Sequence, residues 1–172
     1  GCGSSNKIDK KYLKSAYELG TIIGKNGHTL IFGSSDKGMM GELYRGAKEN
    51  NCNIISVYPK DYKGFLKEVE CKKTITVETT SEQLIKLVKL GDATIIMPGS
   101  FGTLTELMAS IFWKKVKEHQ KPVIILNIDG FFDDFINLVD KIYSQNFDFF
   151  TKEKLYSVVN TPLEAITLLE NL

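Results

Sequence analysis

Arginine is almost missing from this chain: Arg45 is the only one, and every other strong cation is a lysine. The scarcity matters because arginine is the usual bidentate partner of phosphate and carboxylate. Cysteine is also sparse. Cys2, Cys52 and Cys71 are odd in number and widely scattered, which excludes a disulfide framework and points to a reducing compartment. No pair of them has metal-ligand spacing. Long apolar runs are absent, so no membrane-spanning segment is expected, and no stretch reads as a signal peptide. Charge of one sign is lacking too. The formal net charge is +1, which gives no broad field to attract nucleic acid or an anionic membrane. Repeats, linkers and low-complexity tracts are missing, and the cytoplasm is the expected location.

What is present is an alternation of short apolar strands and amphipathic helices. Residues 9–24 read as a helix with Tyr12, Ala16, Leu19 and Ile23 on one face, Asp9 as N-cap and Asn26-Gly27 as stop. A strand over 28–32, a loop over 33–38 and a helix over 39–49 follow, then a strand over 53–58 closed by Pro59. Residues 60–72 are charged and irregular. Beyond them come a β-branched strand over 74–77 and a helix over 81–90 with Leu84, Leu87 and Val88 facing inward. A buried strand over 93–97, a helix over 102–116 and a buried strand over 122–128 continue the pattern. A helix over 131–143 aligns Phe132, Phe135, Val139 and Ile142, and the tail holds a short strand near Val158 and a helix from Pro162.

Strands alternating with helices of this length predict βαβ units. The expected fold is one α/β domain over 1–172, a doubly wound, mostly parallel, Rossmann-like sheet with helices on both faces. Continuous apolar strands such as Thr94-Ile95-Ile96-Met97 suit a sheet covered on both sides. The opening Gly1-Cys2-Gly3-Ser4-Ser5 has no apolar strand before it and is expected to be the end of a truncated first strand. Ligands of such sheets bind beyond the carboxyl ends of the strands. The loops there are Gly3-Ser4-Ser5, Gly33-Ser34-Ser35 and Gly99-Ser100-Phe101-Gly102.

The turn Pro98-Gly99-Ser100-Phe101-Gly102-Thr103 sits between an apolar strand and a helix. Its two glycines permit backbone angles closed to other residues and let a ligand approach the main chain. The helix aims free N–H groups and a positive dipole end at that space, and Thr103 adds a hydroxyl. An anion-binding loop and a ligand-free tight turn both fit this pattern. Glu106, three residues after Thr103, has two readings as well. Thr-x-x-Glu is the spacing of a capping box. It also sets a carboxylate one turn into the helix, where it binds ribose hydroxyls or polarises water. Gly33-Ser34-Ser35 with Gly38-Met39-Met40-Gly41 is a second small-residue loop, either lining the same crevice or forming a simple turn.

Together, the initial Gly-Ser-Ser, Gly38-Met39-Met40-Gly41 and the run from Pro98 to Glu106 resemble the LONELY GUY (LOG) family. These are cytokinin-activating phosphoribohydrolases, long mislabelled as lysine decarboxylases, whose usual pattern is Pro-Gly-Gly-x-Gly-Thr-x-x-Glu. Trp113, Lys121-Pro122-Val123 and Leu126-Asn127-Ile128-Asp129-Gly130-Phe131-Phe132 agree further. The resemblance covers essentially the whole chain. It implies hydrolysis of the N-glycosidic bond of AMP or an N6-substituted adenosine 5′-monophosphate, giving free base and ribose 5-phosphate. By the family's pattern Glu106 stabilises an oxocarbenium-like ribosyl centre and orients water. Gly99, Ser100, Phe101, Gly102 and Thr103 hold the 5′-phosphate, and Ser4, Gly33, Ser34 and Ser35 line the crevice. No metal or organic cofactor is implied, and the expected assembly is a homodimer.

Three departures from the family pattern stand out. The position of the family's catalytic arginine is Gln83, with Lys86 one turn on. The middle glycine of the phosphate turn is Ser100, which costs roughly 1–2 kcal/mol if that position needs a positive φ, or else donates its hydroxyl. The glycine triplet is Gly33-Ser34-Ser35, where the serines narrow the crevice or add donors. All three fall at the ligand site, which signals altered specificity or weakened chemistry. The alternative function is a nucleotide-binding protein of the same fold with little or no turnover. No lysine is placed as the cofactor anchor of an amino-acid decarboxylase. His28 and His119 lack partners at useful spacing, Cys52 and Cys71 read as inert thiols, Asp129 as a strand end that caps the next helix, and Lys114, Lys115 and Lys117 as a solvated face.

Overall fold

The computed structural model describes residues 1–62, 69–148 and 155–172. The irregular stretch expected over 60–72 is a 3-10 turn at Lys60–Tyr62 and extended chain from 69; its remaining residues lie outside those described. The helices are α1 (Lys10–Lys25), α2 (Gly38–Glu49), α3 (Thr80–Leu90), α4 (Phe101–Lys115), α5 (Asp133–Ser144) and α6 (Pro162–Glu170). The strands are β1 (Thr29–Phe32), β2 (Asn53–Pro59), β3 (Lys73–Val77), β4 (Thr94–Ile96), β5 (Val123–Leu126) and β6 (Ser157–Val159).

All strand pairs are parallel, in two groups ordered β1-β2-β3 and β4-β5-β6. Residues 1–3 run beside β4 with the hydrogen bonds of a parallel neighbour. Gly1 N donates to Ile95 O at 2.9 Å, Met97 N to Gly1 O at 2.9 Å, and Gly3 N to Pro98 O at 3.0 Å. Strand alternation divides the core between the two faces. Met97 and Leu126 join Ala16, Leu19, Met39, Leu43 and Ile166, from α1, α2 and α6, on one side. Ile96, Val123 and Ile125 join Leu107, Ile111 and Phe132, from α4 and the approach to α5, on the other. This is the doubly wound α/β fold that the alternation predicts.

Local chemistry sets the ends of the elements. Asp9 accepts from Lys11 N at 2.9 Å and starts α1, and Gly27 leaves it at φ 72°. Thr79 caps α3, and Thr161 with Glu164 forms a full capping box at α6. The expected cap at Asp129 is not made. Asn127 does that work instead, accepting from Phe132 N and donating to Asp133 Oδ1, both at 2.7 Å. Asp129 sits at φ 54° and pairs with Lys11. Among the described residues no helix is long and apolar enough to cross a membrane.

Candidate active site

Three strand-to-helix loops meet at the carboxyl ends of the strands. Gly3 is their junction: its N–H reaches Pro98 O, its carbonyl accepts from Met40 N at 3.2 Å, and a Cβ on it would lie 3.3 Å from Gly99 Cα. Asn6 Oδ1 accepts from Gly38 N at 2.7 Å. Gly38 holds φ 56°, and a Cβ there would fall 2.5 Å from the Ser4 backbone. The first loop is therefore bolted to the start of α2. A cleft beside these loops is lined by Ser4, Gly33, Ser35, Gln83, Ser100, Gly102, Thr103 and Glu106.

The start of α4 is chemically open. Its N-cap is Ser100, whose side chain makes no capping bond. Leu104 N already bonds back to Ser100 O, but no acceptor among the described residues takes the N–H groups of Phe101, Gly102 or Thr103. Helix starts carry such unsatisfied donors together with the positive end of the dipole. Here they sit at the cleft, which favours an anion. At α2 two of the three corresponding donors, those of Gly38 and Met40, are taken by Asn6 and Gly3.

The glycines of this turn act differently from expectation. Neither Gly99 nor Gly102 has a positive φ. Gly99 is required by crowding, since a Cβ there would sit 2.1 Å from Thr103 Oγ1. At Gly102 a Cβ would meet nothing within 4 Å, so its face is open to a ligand. Ser100 has φ −102°, an ordinary extended angle, so the strain considered for it is absent. The left-handed residue is Ser34, at φ 64° and buried. Its side chain is not part of the cleft lining, and Ser35 Oγ accepts from Lys37 N at 3.2 Å, within its own loop. Phe101 is 87% exposed with its ring outside the cleft, leaving its backbone N–H as its contribution.

Glu106 lies in the second turn of α4, half-buried, and the Thr103–Glu106 capping box does not form because the helix has already begun at Phe101. The carboxylate accepts no hydrogen bond among the described residues; Oε2 is 4.0 Å from the Gly1 nitrogen. It is thus an unspent acceptor on the cleft wall, one turn from the open donors. Cys2 also lines the cleft, and burial pushes its thiol up to about 11, so it stays protonated and unreactive. Burial likewise raises the Cys52 and Cys71 thiols.

Gln83 reaches the cleft from the first turn of α3. Its Nε2 donates to Val57 O at 2.7 Å, within β2. Arg45 is elsewhere, on the exposed side of α2, paired with Glu42. Lys86 is exposed and does not line the cleft. Sequence reasoning missed Gly3 and Asn6 as loop ties, and His28, which meets Glu170 at 3.0 Å. Those partners are far apart along the chain, so no local spacing signals them.

The family model described as "Possible lysine decarboxylase" matches residues 40–169. The cytokinin riboside 5′-monophosphate phosphoribohydrolase LOG of Oryza sativa subsp. japonica is 33% identical over 149 residues, covering 85% of this chain and 61% of its own. The chain thus spans about three fifths of that relative. A second rice protein, a probable cytokinin riboside 5′-monophosphate phosphoribohydrolase, is 30% identical over 172 residues, covering 98% of this chain and 70% of its own. Among solved structures, the molybdenum cofactor binding protein of Rippkaea orientalis superposes with a TM-score of 0.72 at 22% identity, over 99% of this chain and 93% of that one. It shares the fold.

Proposed function

This chain belongs to the LOG family, and from that premise we propose that it hydrolyses the N-glycosidic bond of AMP or an N6-substituted adenosine 5′-monophosphate. The products are free base and ribose 5-phosphate. One observation carries the reading: the uncapped start of α4 and the unspent Glu106 carboxylate stand one turn apart on the same cleft wall. The N–H groups of Phe101, Gly102 and Thr103 bind the 5′-phosphate, with the Ser100 hydroxyl beside them. Ser4, Gly33 and Ser35 line the same cleft, and Ser34 is buried within its loop. As the glycosidic bond breaks, positive charge develops on the ribosyl carbon, and the carboxylate stabilises it and orients the attacking water. Gln83, the residue that the family pattern aligns with its arginine, lines the same cleft.

The active assembly is a homodimer, supported by an apolar stripe of Leu104, Met108, Phe112 and Val116 left exposed along α4. The compartment is the cytoplasm, in keeping with three free thiols. A second reading, a nucleotide binder with little or no turnover, is favoured by the absence of any arginine from the cleft lining. Incubation with AMP, with adenine and ribose 5-phosphate quantified, separates the two. Release that disappears in Glu106→Ala supports hydrolysis. Binding without release above that control supports the second reading.

A further inference from the structure

We infer that Gln83 reads an uncharged hydrogen-bond donor of the nucleotide, a ribose hydroxyl or the exocyclic amine of the base, through its side-chain oxygen. This rests on the nucleoside monophosphate reading above and makes Gln83 a specificity-determining residue rather than a weak substitute for a cation.

The argument starts from the amide's orientation. A backbone carbonyl can only accept, so the 2.7 Å bond to Val57 O identifies the nitrogen end of the side chain. The NH₂ group faces the Val57 carbonyl of β2, and Oε1 is the end left over. No donor among the described residues reaches Oε1, and it is not among the buried atoms lacking a partner. Gly33 packs beside the bonded end: a Cβ there would make ordinary contact with Gln83 Nε2 at 3.4 Å, so its loop and α3 are neighbours on the cleft wall. The result is an acceptor held in place by the amide's own hydrogen bond to Val57 O, on a residue that lines the cleft.

The charge around it agrees. Lys114 is the only lysine or arginine among the described residues lining the cleft, and it lies roughly two turns beyond Glu106 on α4. The cleft therefore sorts its ligand by polarity. Donors gather at the start of α4, while Glu106, one turn on, and Gln83, on α3, offer acceptors to the same cleft. A ligand that satisfies both regions is an anion at one end and carries hydroxyl or amino donors at the other. A guanidinium at position 83 would instead present donors only.

Isothermal titration of the full chain with AMP, 2′-deoxy-AMP, 3′-deoxy-AMP and IMP tests this, repeated with Gln83→Met, which keeps the length and removes both polar ends. The unchanged protein is expected to bind one class of analogue about tenfold more weakly than AMP. A deoxy analogue identifies a ribose hydroxyl as the donor, and IMP identifies the amine. The gap is expected to close in Gln83→Met. Equal affinity of the unchanged protein for all the ligands overturns the assignment without any variant. A gap that persists in Gln83→Met, with folding checked by thermal melting, overturns it also. If AMP and every analogue fail to bind, the nucleotide reading falls and this inference with it. If AMP binds and only the gap is absent, the nucleotide reading stands alone.

Discussion

Ser34 carries the backbone cost that the sequence pattern assigned to Ser100. Both replace glycines of the family pattern, and composition cannot tell which one meets a left-handed backbone. Ser34 sits at φ 64°, whereas Ser100 is extended at φ −102°. A side chain in the left-handed region costs roughly 1–2 kcal/mol, partly offset by the greater freedom glycine has when unfolded. Ser34→Gly is therefore expected to stabilise the fold by about 1 kcal/mol, raising the thermal midpoint by about 2–4 °C. Ser100→Gly relieves nothing and should leave the midpoint level or lower. Calorimetric melting of both variants checks this, and an equal gain in the two would refute the argument. Glu106 could be singled out as a candidate from its spacing. Its freedom from a capping role was not, because that depends on α4 beginning at Phe101.

At the scale of the element, capping separates structural helix starts from the candidate site. Starts of α1, α3 and α6 are closed by Asp9, Thr79 and Thr161, whereas α4 keeps open donors. The two glycines around that opening predict opposite stability effects with one functional effect. Gly102→Ala removes a helical glycine whose Cβ would meet open space, so stability should rise by about 0.5–1 kcal/mol. Nucleotide affinity should nonetheless fall, because the methyl group fills ligand space. Gly99→Ala drives a Cβ to within 2.1 Å of Thr103 Oγ1, so both stability and affinity should fall, the former by about 1–3 kcal/mol. Denaturant unfolding paired with AMP titration reads both. Unchanged affinity in Gly102→Ala would remove the phosphate from this turn.

For the whole molecule, the apolar stripe of α4 sets the expected assembly. Leu104, Met108, Phe112 and Val116 recur every fourth residue and are 36, 49, 55 and 44% exposed. Phe112→Glu should convert a dimer to a monomer in light scattering without lowering the monomer's helix content. A monomeric unchanged protein would remove the homodimer from the proposal. The order and type of the described α-helices and β-strands were legible in the sequence, because hydrophobic periodicity and turn residues act over a few neighbours; the 3-10 turns at Lys60–Tyr62 and Ile128–Gly130 were not. The candidate anion-binding turn and Glu106 could be picked out for the same reason: each is a short contiguous motif. Tertiary structure alone decided which loops meet at Gly3, that Asn127 rather than Asp129 holds the start of α5, and which end of the Gln83 amide is free. Each of these hangs on a hydrogen-bond partner or a backbone angle. Parallel crossovers bring such partners together from distant stretches of chain, and the angles are fixed by how each loop packs against its neighbours, so local pattern carries no trace of either.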